Sequence, residues 1–251
     1  MFFGNNQNHD WTKIRESLLE SGLVQLWLAN TTVFNLNNIF DLLSEEEINK
    51  SEKFYFSKDR KTYLVSRGLL RFLLGKYLNI SGCDIRFDYN RYGKPELAFP
   101  HSEQIFFNVS HSGEFCLIGF SQSSQIGVDI EFMKPVEYDL LAKNVFSNTE
   151  RSELKSISDD HKSKAFYSGW TRKESFIKGI GAGMSFPLKN FSIALNPETL
   201  VSKVEIHLDN SEAYKYWKVY DIAVETEYRA ALAVKNFDET LFESFNADDL
   251  F

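Results

Sequence analysis

Cysteine is nearly absent: Cys83 and Cys116 are the only two in 251 residues. That excludes a disulfide framework, and no Cys/His group has zinc-ligand spacing, so a reducing compartment is expected. No apolar run approaches the roughly 20 residues a bilayer span needs. The opening Met1-Phe2-Phe3 has neither an early cation nor an apolar core after it, unlike a secretory signal. A cytoplasmic protein without membrane contact is therefore expected. Positive charge is also short, with 28 Lys+Arg against 35 Asp+Glu for a formal charge of −7, which excludes a basic nucleic-acid wrapper. Apolar and aromatic residues are plentiful: 43% of the chain is hydrophobic, with 23 Phe, 11 Tyr and 4 Trp. This is enough for a folded core, and the length suits one large domain or two small ones.

Leu23 to Ala29 is short, apolar and bracketed by Gly22 and Asn30-Thr31-Thr32, a strand signal. Ser44 followed by Glu47 is a capping-box pattern that starts a helix. Asp59 is the expected cap of a long helix to about Leu78, with apolar residues from Tyr63 to Leu78 at three- and four-residue spacing. Between Lys50 and Lys76 stand eight cations and two acids. That local excess is either a solvated helix face or a polyanion site. Strands are expected near Ile85–Phe87, Ile105–Val109, Phe115–Phe120 and Ile126–Ile130. Helices follow near Tyr138–Lys143, Thr149–Ser156 and Lys162–Ile180, then strands near Asn190–Ala194, Lys203–Leu208, Tyr214–Tyr220 and Tyr228–Val234. A long helix followed by strands thus occurs twice, an architectural echo that suggests duplication. From Phe237 to Phe251 the chain has five acids and no base, and a loosely held tail is expected.

Four segments carry candidate chemistry. Gly127-Val128-Asp129-Ile130-Glu131 puts two carboxylates on one face of a strand, either a surface accident or the floor of a divalent-metal site. In Trp170-Thr171-Arg172-Lys173-Glu174-Ser175-Phe176-Ile177-Lys178, Glu174 and Lys178 are i, i+4 neighbours on a helix; an ordinary surface pair of this kind is worth about 0.3–0.5 kcal/mol. The Gly179-Ile180-Gly181-Ala182-Gly183 run can end that helix, but it follows a helix rather than a strand and matches no nucleotide-loop fingerprint. Phe107-Asn108-Val109-Ser110-His111-Ser112-Gly113 offers hydroxyls, amides and an imidazole for phosphate oxygens. A Ser/His hydrolase competes weakly, because no nucleophile elbow is present. Tyr92-Gly93-Lys94-Pro95 is a turn that presents a lysine.

Taken in this order, the four segments resemble the Sfp-type 4′-phosphopantetheinyl transferases over most of the chain. The resemblance implies an α+β fold of two similar α/β subdomains related by a pseudo-twofold, each a long helix packed on a small, mainly antiparallel sheet. Residues 1–127 would form the N-terminal half and 128–251 the C-terminal half with its acidic, apolar tail, and coenzyme A would lie in the cleft between them. It also implies transfer of the phosphopantetheine arm of coenzyme A to a serine of an apo acyl or peptidyl carrier protein, a small acidic helical bundle. Asp129, Glu131 and Glu174 match the Mg²⁺-binding acids. Lys94, Ser110 and His111 match holders of coenzyme A phosphates, and Lys178 matches the lysine beside the reacting phosphate. Glu174 is the expected base for the serine, directly or through water. Charge and position add Arg60 and Arg67, with Lys50 third, for the adenosine 3′-phosphate. A monomer without nucleic-acid partners is expected. A coenzyme A binding module would not need all three acids together, and a pyrophosphate hydrolase would use them with water.

Overall fold

The computed structural model describes residues 10–18, 23–102, 105–207, 211–235, 240–248 and 250. Its first part comprises α1 (Trp11–Leu18), β1 (Leu23–Asn30), α2 (Glu45–Ser51), α3 (Ser57–Leu78), β2 (Phe87–Tyr89), β3 (Pro95–Leu97), β4 (Phe106–Ser112) and β5 (Phe115–Ser121). After β6 (Ile126–Phe132) come α4 (Tyr138–Val145), α5 (Asn148–Ser156) and α6 (Asp159–Ile180). The chain continues through β7 (Phe191–Ser192), β8 (Val201–Lys203), β9 (Glu205–Ile206), β10 (Trp217–Ile222), β11 (Tyr228–Lys235) and β12 (Leu241–Asn246).

Two four-stranded sheets have the orders β12-β1-β5-β4 and β6-β11-β10-β8. All their pairings are antiparallel except β1 with β12. The period-two alternation of each strand explains the layering. On β1, Val24, Leu26 and Leu28 join Leu117 of β5, Val128 and Ile130 of β6, and Leu232 of β11 in a core between the sheets. Trp27 and Ala29, on the opposite face, pack with Leu69, Leu70 and Leu73 of α3. In the second half Ala231 and Ala233 of β11 turn toward Phe176 and Ile177 of α6. The order of layers is therefore helix, sheet, sheet, helix, and the odd-numbered residues of β6, Gly127, Asp129 and Glu131, point to α6.

The Ser44 capping box forms as the pattern predicts: Glu47 N donates to Ser44 Oγ and Ser44 N to Glu47 Oε2. A second box joins Ser147 and Glu150 at the start of α5. Asp59 does not cap α3. The helix begins at Ser57 after Phe56, which makes no side-chain cap bond, and Asp59 lies in the first turn, where its charge suits the helix dipole.

The tail also departs from expectation. Instead of lying loose, Leu241–Asn246 adds an edge strand parallel to β1. Phe245 stacks on Trp27 with ring centroids 4.5 Å apart, and Gln25 Nε2 donates to Glu243 Oε2. Phe245 packs into the core under one face of the strand and Phe242 against the layer between the sheets on the other, while Leu241 stays exposed; Glu243 pairs with Gln25 instead of preventing the strand from forming. Phe237, Asp238, Glu239, Asp249 and Phe251 lie outside the described residues. The expected strand at Tyr214–Tyr220 starts only at Trp217, because Ser211–Tyr214 winds into a 3-10 turn. The Lys203–Leu208 run divides into β8 and β9, and Leu208 is outside the described residues.

Candidate active site at the seam of the two sheets

β4 closes one sheet and β6 the other, and their edges meet without a backbone ladder between them. Side chains of β4 reach across instead. Val128 N donates to Asn108 Oδ1 at 2.8 Å, Ile130 N to Ser110 Oγ at 3.3 Å and Phe132 N to Ser112 Oγ at 3.1 Å. The residue offset is constant, so the strands run in the same direction. Both serines also donate to acids: Ser110 Oγ to Asp129 Oδ1 at 2.9 Å and Ser112 Oγ to Glu131 Oε2 at 2.6 Å.

Helix α6 covers this seam because glycine lets it approach. A Cβ on Gly127 would collide with Ser175 O and Gly179 N, so only a bare backbone brings β6 this close to the helix. Lys178 then donates to Asp129 Oδ1 at 2.6 Å and to Ser110 Oγ at 2.8 Å. Asp129 is buried, and its second oxygen, Oδ2, has no hydrogen-bond partner; Glu174 Oε1 is buried without a partner as well. Burial raises the Asp129 carboxyl above its ordinary range, with Lys178 opposing. Burial, and next the Asp129 charge, pushes Glu174 up to about 7. Beside Glu131 opens a cavity of about 560 Å³ whose walls include Phe132, Leu141, Phe166 and Trp170. Trp170 Nε1 points to Glu131 Oε1 at 3.4 Å.

The turn containing Lys94 docks on the end of α6. Asn90 Oδ1 accepts from Tyr92 N and Lys94 N, while Asn90 Nδ2 donates to Gly181 O at 2.9 Å. Gly181 ends the helix with φ of 65° and has no room for a side chain against Asn90. Lys94 Nζ donates to Gly179 O at 2.9 Å, and burial lowers its pKa to about 8. His111 is exposed at the end of β4. Protein atoms crowding its ring, then the Lys178 charge, push it below the usual imidazole range.

The structure thus brings together Ser110, Asp129, Glu131, Glu174 and Lys178, with His111 and Lys94 at the margins. The basic segment of α3 divides in two. Arg60 is exposed, with Nε donating to Ser51 Oγ at 3.3 Å. Arg67 is turned inward: its Nε pairs with Glu47 Oε1 at 2.6 Å, and Arg71 Nε pairs with the other oxygen at 2.7 Å. Arg67 is therefore mostly buried and already paired with an acid, whereas Arg60 is open to solvent. Lys173, inside the helical motif, is likewise structural; it is fully buried between Glu150 Oε2, Leu188 O and Phe191 O. Sequence reasoning offered Ser112 only as a hydroxyl for phosphate oxygens, not as a partner of Glu131, and gave Trp170 no role of its own. The signal was present as Ser-x-Ser in β4 and Asp-x-Glu in β6, two period-two pairs that match only once the strands lie side by side.

The "4′-phosphopantetheinyl transferase, N-terminal" family model matches residues 27–123, and the "4′-phosphopantetheinyl transferase superfamily" model matches residues 125–233. The 4′-phosphopantetheinyl transferase HetI of Nostoc sp. is 32% identical over 234 residues, covering 91% of this chain and 95% of that protein. The chain belongs to the 4′-phosphopantetheinyl transferase family. The 4′-phosphopantetheinyl transferase Sfp of Bacillus subtilis is 36% identical over 196 residues, covering 78% of this chain and 84% of Sfp. The human L-aminoadipate-semialdehyde dehydrogenase-phosphopantetheinyl transferase is 29% identical over 224 residues, covering 82% of this chain and 72% of that one. The α+β architecture expected from the resemblance is the one observed.

In this phosphopantetheinyl transferase the acids meet but do not form a finished metal cage. Among the described residues no group of three His, Cys, Asp or Glu side chains is arranged to hold an ion. Glu131 faces Ser112 and Trp170, and Lys178 occupies Asp129 Oδ1. The donor chemistry nonetheless fits a hard divalent cation. Asp129 Oδ2 and Glu174 Oε1 are buried carboxylate oxygens without partners, and such oxygens are costly unless something positive satisfies them.

Proposed function

We propose that the protein transfers the 4′-phosphopantetheine arm of coenzyme A to a serine of an apo acyl or peptidyl carrier protein, leaving adenosine 3′,5′-bisphosphate. The supporting observation is the convergence of two orphaned carboxylate oxygens, Asp129 Oδ2 and Glu174 Oε1, with the Lys178 ammonium at one seam. Asp129 and Glu174 would hold Mg²⁺ with Glu131 as the third acid, and the ion would supply charge neutralisation to the pyrophosphate.

The chain's own groups divide the remaining work. Lys178, held against Asp129 and Ser110, stabilises negative charge developing on the reacting phosphate. Lys94 and His111 hold phosphate oxygens from the two sides of the seam, and Ser110 adds a hydroxyl. Glu174 accepts the proton of the carrier serine, directly or through water. The cavity beside Glu131 takes the less polar part of the pantetheine arm. Arg60 is the exposed candidate for the adenosine 3′-phosphate, and Arg67 a weaker one because Glu47 already holds it. The two sheets form the two sides of the cleft within a single cytoplasmic chain; the expected division into 1–127 and 128–251 shifts accordingly, because β6 begins at Ile126 and β12 returns to the first sheet.

The test is the intact mass of an apo carrier protein after incubation with this protein, coenzyme A and Mg²⁺, with a chelator control. The expected result is a gain of one phosphopantetheine that disappears with chelator and with Asp129→Ala. Release of adenosine bisphosphate without carrier would instead identify a hydrolase, and no gain on carriers of several pathways would overturn the proposal.

A further inference from the structure

Ser112 is used twice by its surroundings. Its hydroxyl proton goes to Glu131 Oε2 at 2.6 Å while its oxygen accepts from Phe132 N at 3.1 Å. A serine hydroxyl can do both at once, having one proton and two lone pairs, but only if β4 and β6 keep one separation and one register. Ser110 repeats the arrangement one pleat earlier on Asp129 and Ile130 N. The two acids differ in what else holds them. Asp129 has the Lys178 ammonium, whereas Glu131 is held by neutral donors, Ser112 on one oxygen and the longer Trp170 Nε1 contact on the other. A carboxylate without a cation to orient it depends on such donors for its direction.

We propose that Ser112 is a positioning residue for phosphopantetheinyl transfer: it orients the Glu131 carboxylate and, through Phe132 N–H, sets the spacing of the two sheets at the acid pair. The inference rests on the function proposed above. In this role Ser112 acts through Glu131, although it also borders the cavity beside that acid.

Direct Mn²⁺ binding to the full chain with saturating coenzyme A, read by the electron paramagnetic resonance of free Mn²⁺, tests this without measuring turnover. Ser112→Thr keeps the hydroxyl, and Ser112→Val is nearly its isostere without one; both suit a strand. The Thr variant should bind Mn²⁺ as the unaltered protein does. The Val variant, and Ser112→Ala beside it, should bind about 10-fold more weakly, as when the partner of a metal-ligating group is removed. Combined with Glu131→Gln, the Val change should add little further loss, because the two residues act as one unit. Equal affinity of the Val and Thr variants, or losses that add fully in the double variant, would overturn the inference while leaving the proposed function intact. Failure of the unaltered protein to bind Mn²⁺ would overturn the metal-dependent reading and this inference with it.

Discussion

Lys94 holds its charge where burial opposes it, between Gly179 O and the turn that presents it, with a pKa lowered to about 8. The sign follows directly: the cation is present below that value and is lost as pH rises through it. If Lys94 grips a coenzyme A phosphate, metal-free affinity for coenzyme A should fall between pH 7 and pH 9 by up to about 10-fold, since one unit above the pKa about a tenth of the lysine is charged. Calorimetric titration at the two pH values checks this, and Lys94→Met should be weak at both. Glu47 presents the opposite case. Burial favours its neutral form, but Arg67, then the Ser44 backbone and Arg71, outweigh burial and hold the carboxyl below its usual range. Glu47→Ala leaves two guanidinium groups without their acid, with Arg71 almost fully buried. It should cost about 3–5 kcal/mol, measured by urea denaturation.

At the scale of elements, the approach of α6 to β6 decides whether there is a site. Gly127→Ala would place a methyl against Ser175 O and Gly179 N. Both are backbone atoms, so no side chain can move aside, and the helix must shift. A loss of about 1–3 kcal/mol is expected from overpacking, together with weaker Mn²⁺ binding, since Lys178 and Glu174 ride on the same helix. Denaturation and metal titration of that variant provide the check. The C-terminal strand makes a second prediction. Phe245→Ala removes the ring stacked on Trp27 and should cost about 3–5 kcal/mol. A change in the urea midpoint near zero would show that β12 contributes nothing to the fold, as a loose tail would.

Across the whole molecule, three features tie the halves together: the side-chain stitch between β4 and β6, the Asn90 turn on the end of α6, and the apolar layer between the sheets. The chain should therefore unfold as one cooperative unit. Single-tryptophan variants retaining either Trp27 in the first sheet or Trp217 in the second should give coincident urea transitions; separate midpoints would argue for independent halves. Much of this was legible in the sequence. The strand at Leu23, the Ser44 box, the two long helices and the four site segments follow from period, caps and turn residues, which act over a few neighbours and are written locally. Other features were not. The pairing of Leu241–Asn246 with β1 joins residues more than 200 positions apart, and no local pattern distinguishes that strand from an apolar tail. The inward turn of Arg67 depends on Glu47, a residue that local reading assigned only to a helix cap. The partnership of Ser112 with Glu131 exists because two sheet edges meet. Local sequence patterns set most of the helices and strands, the family, and the residue types available for chemistry. Tertiary structure alone decided which hydroxyl faces which acid and which cations remain free, because those contacts depend on chain crossings and burial that no short window contains.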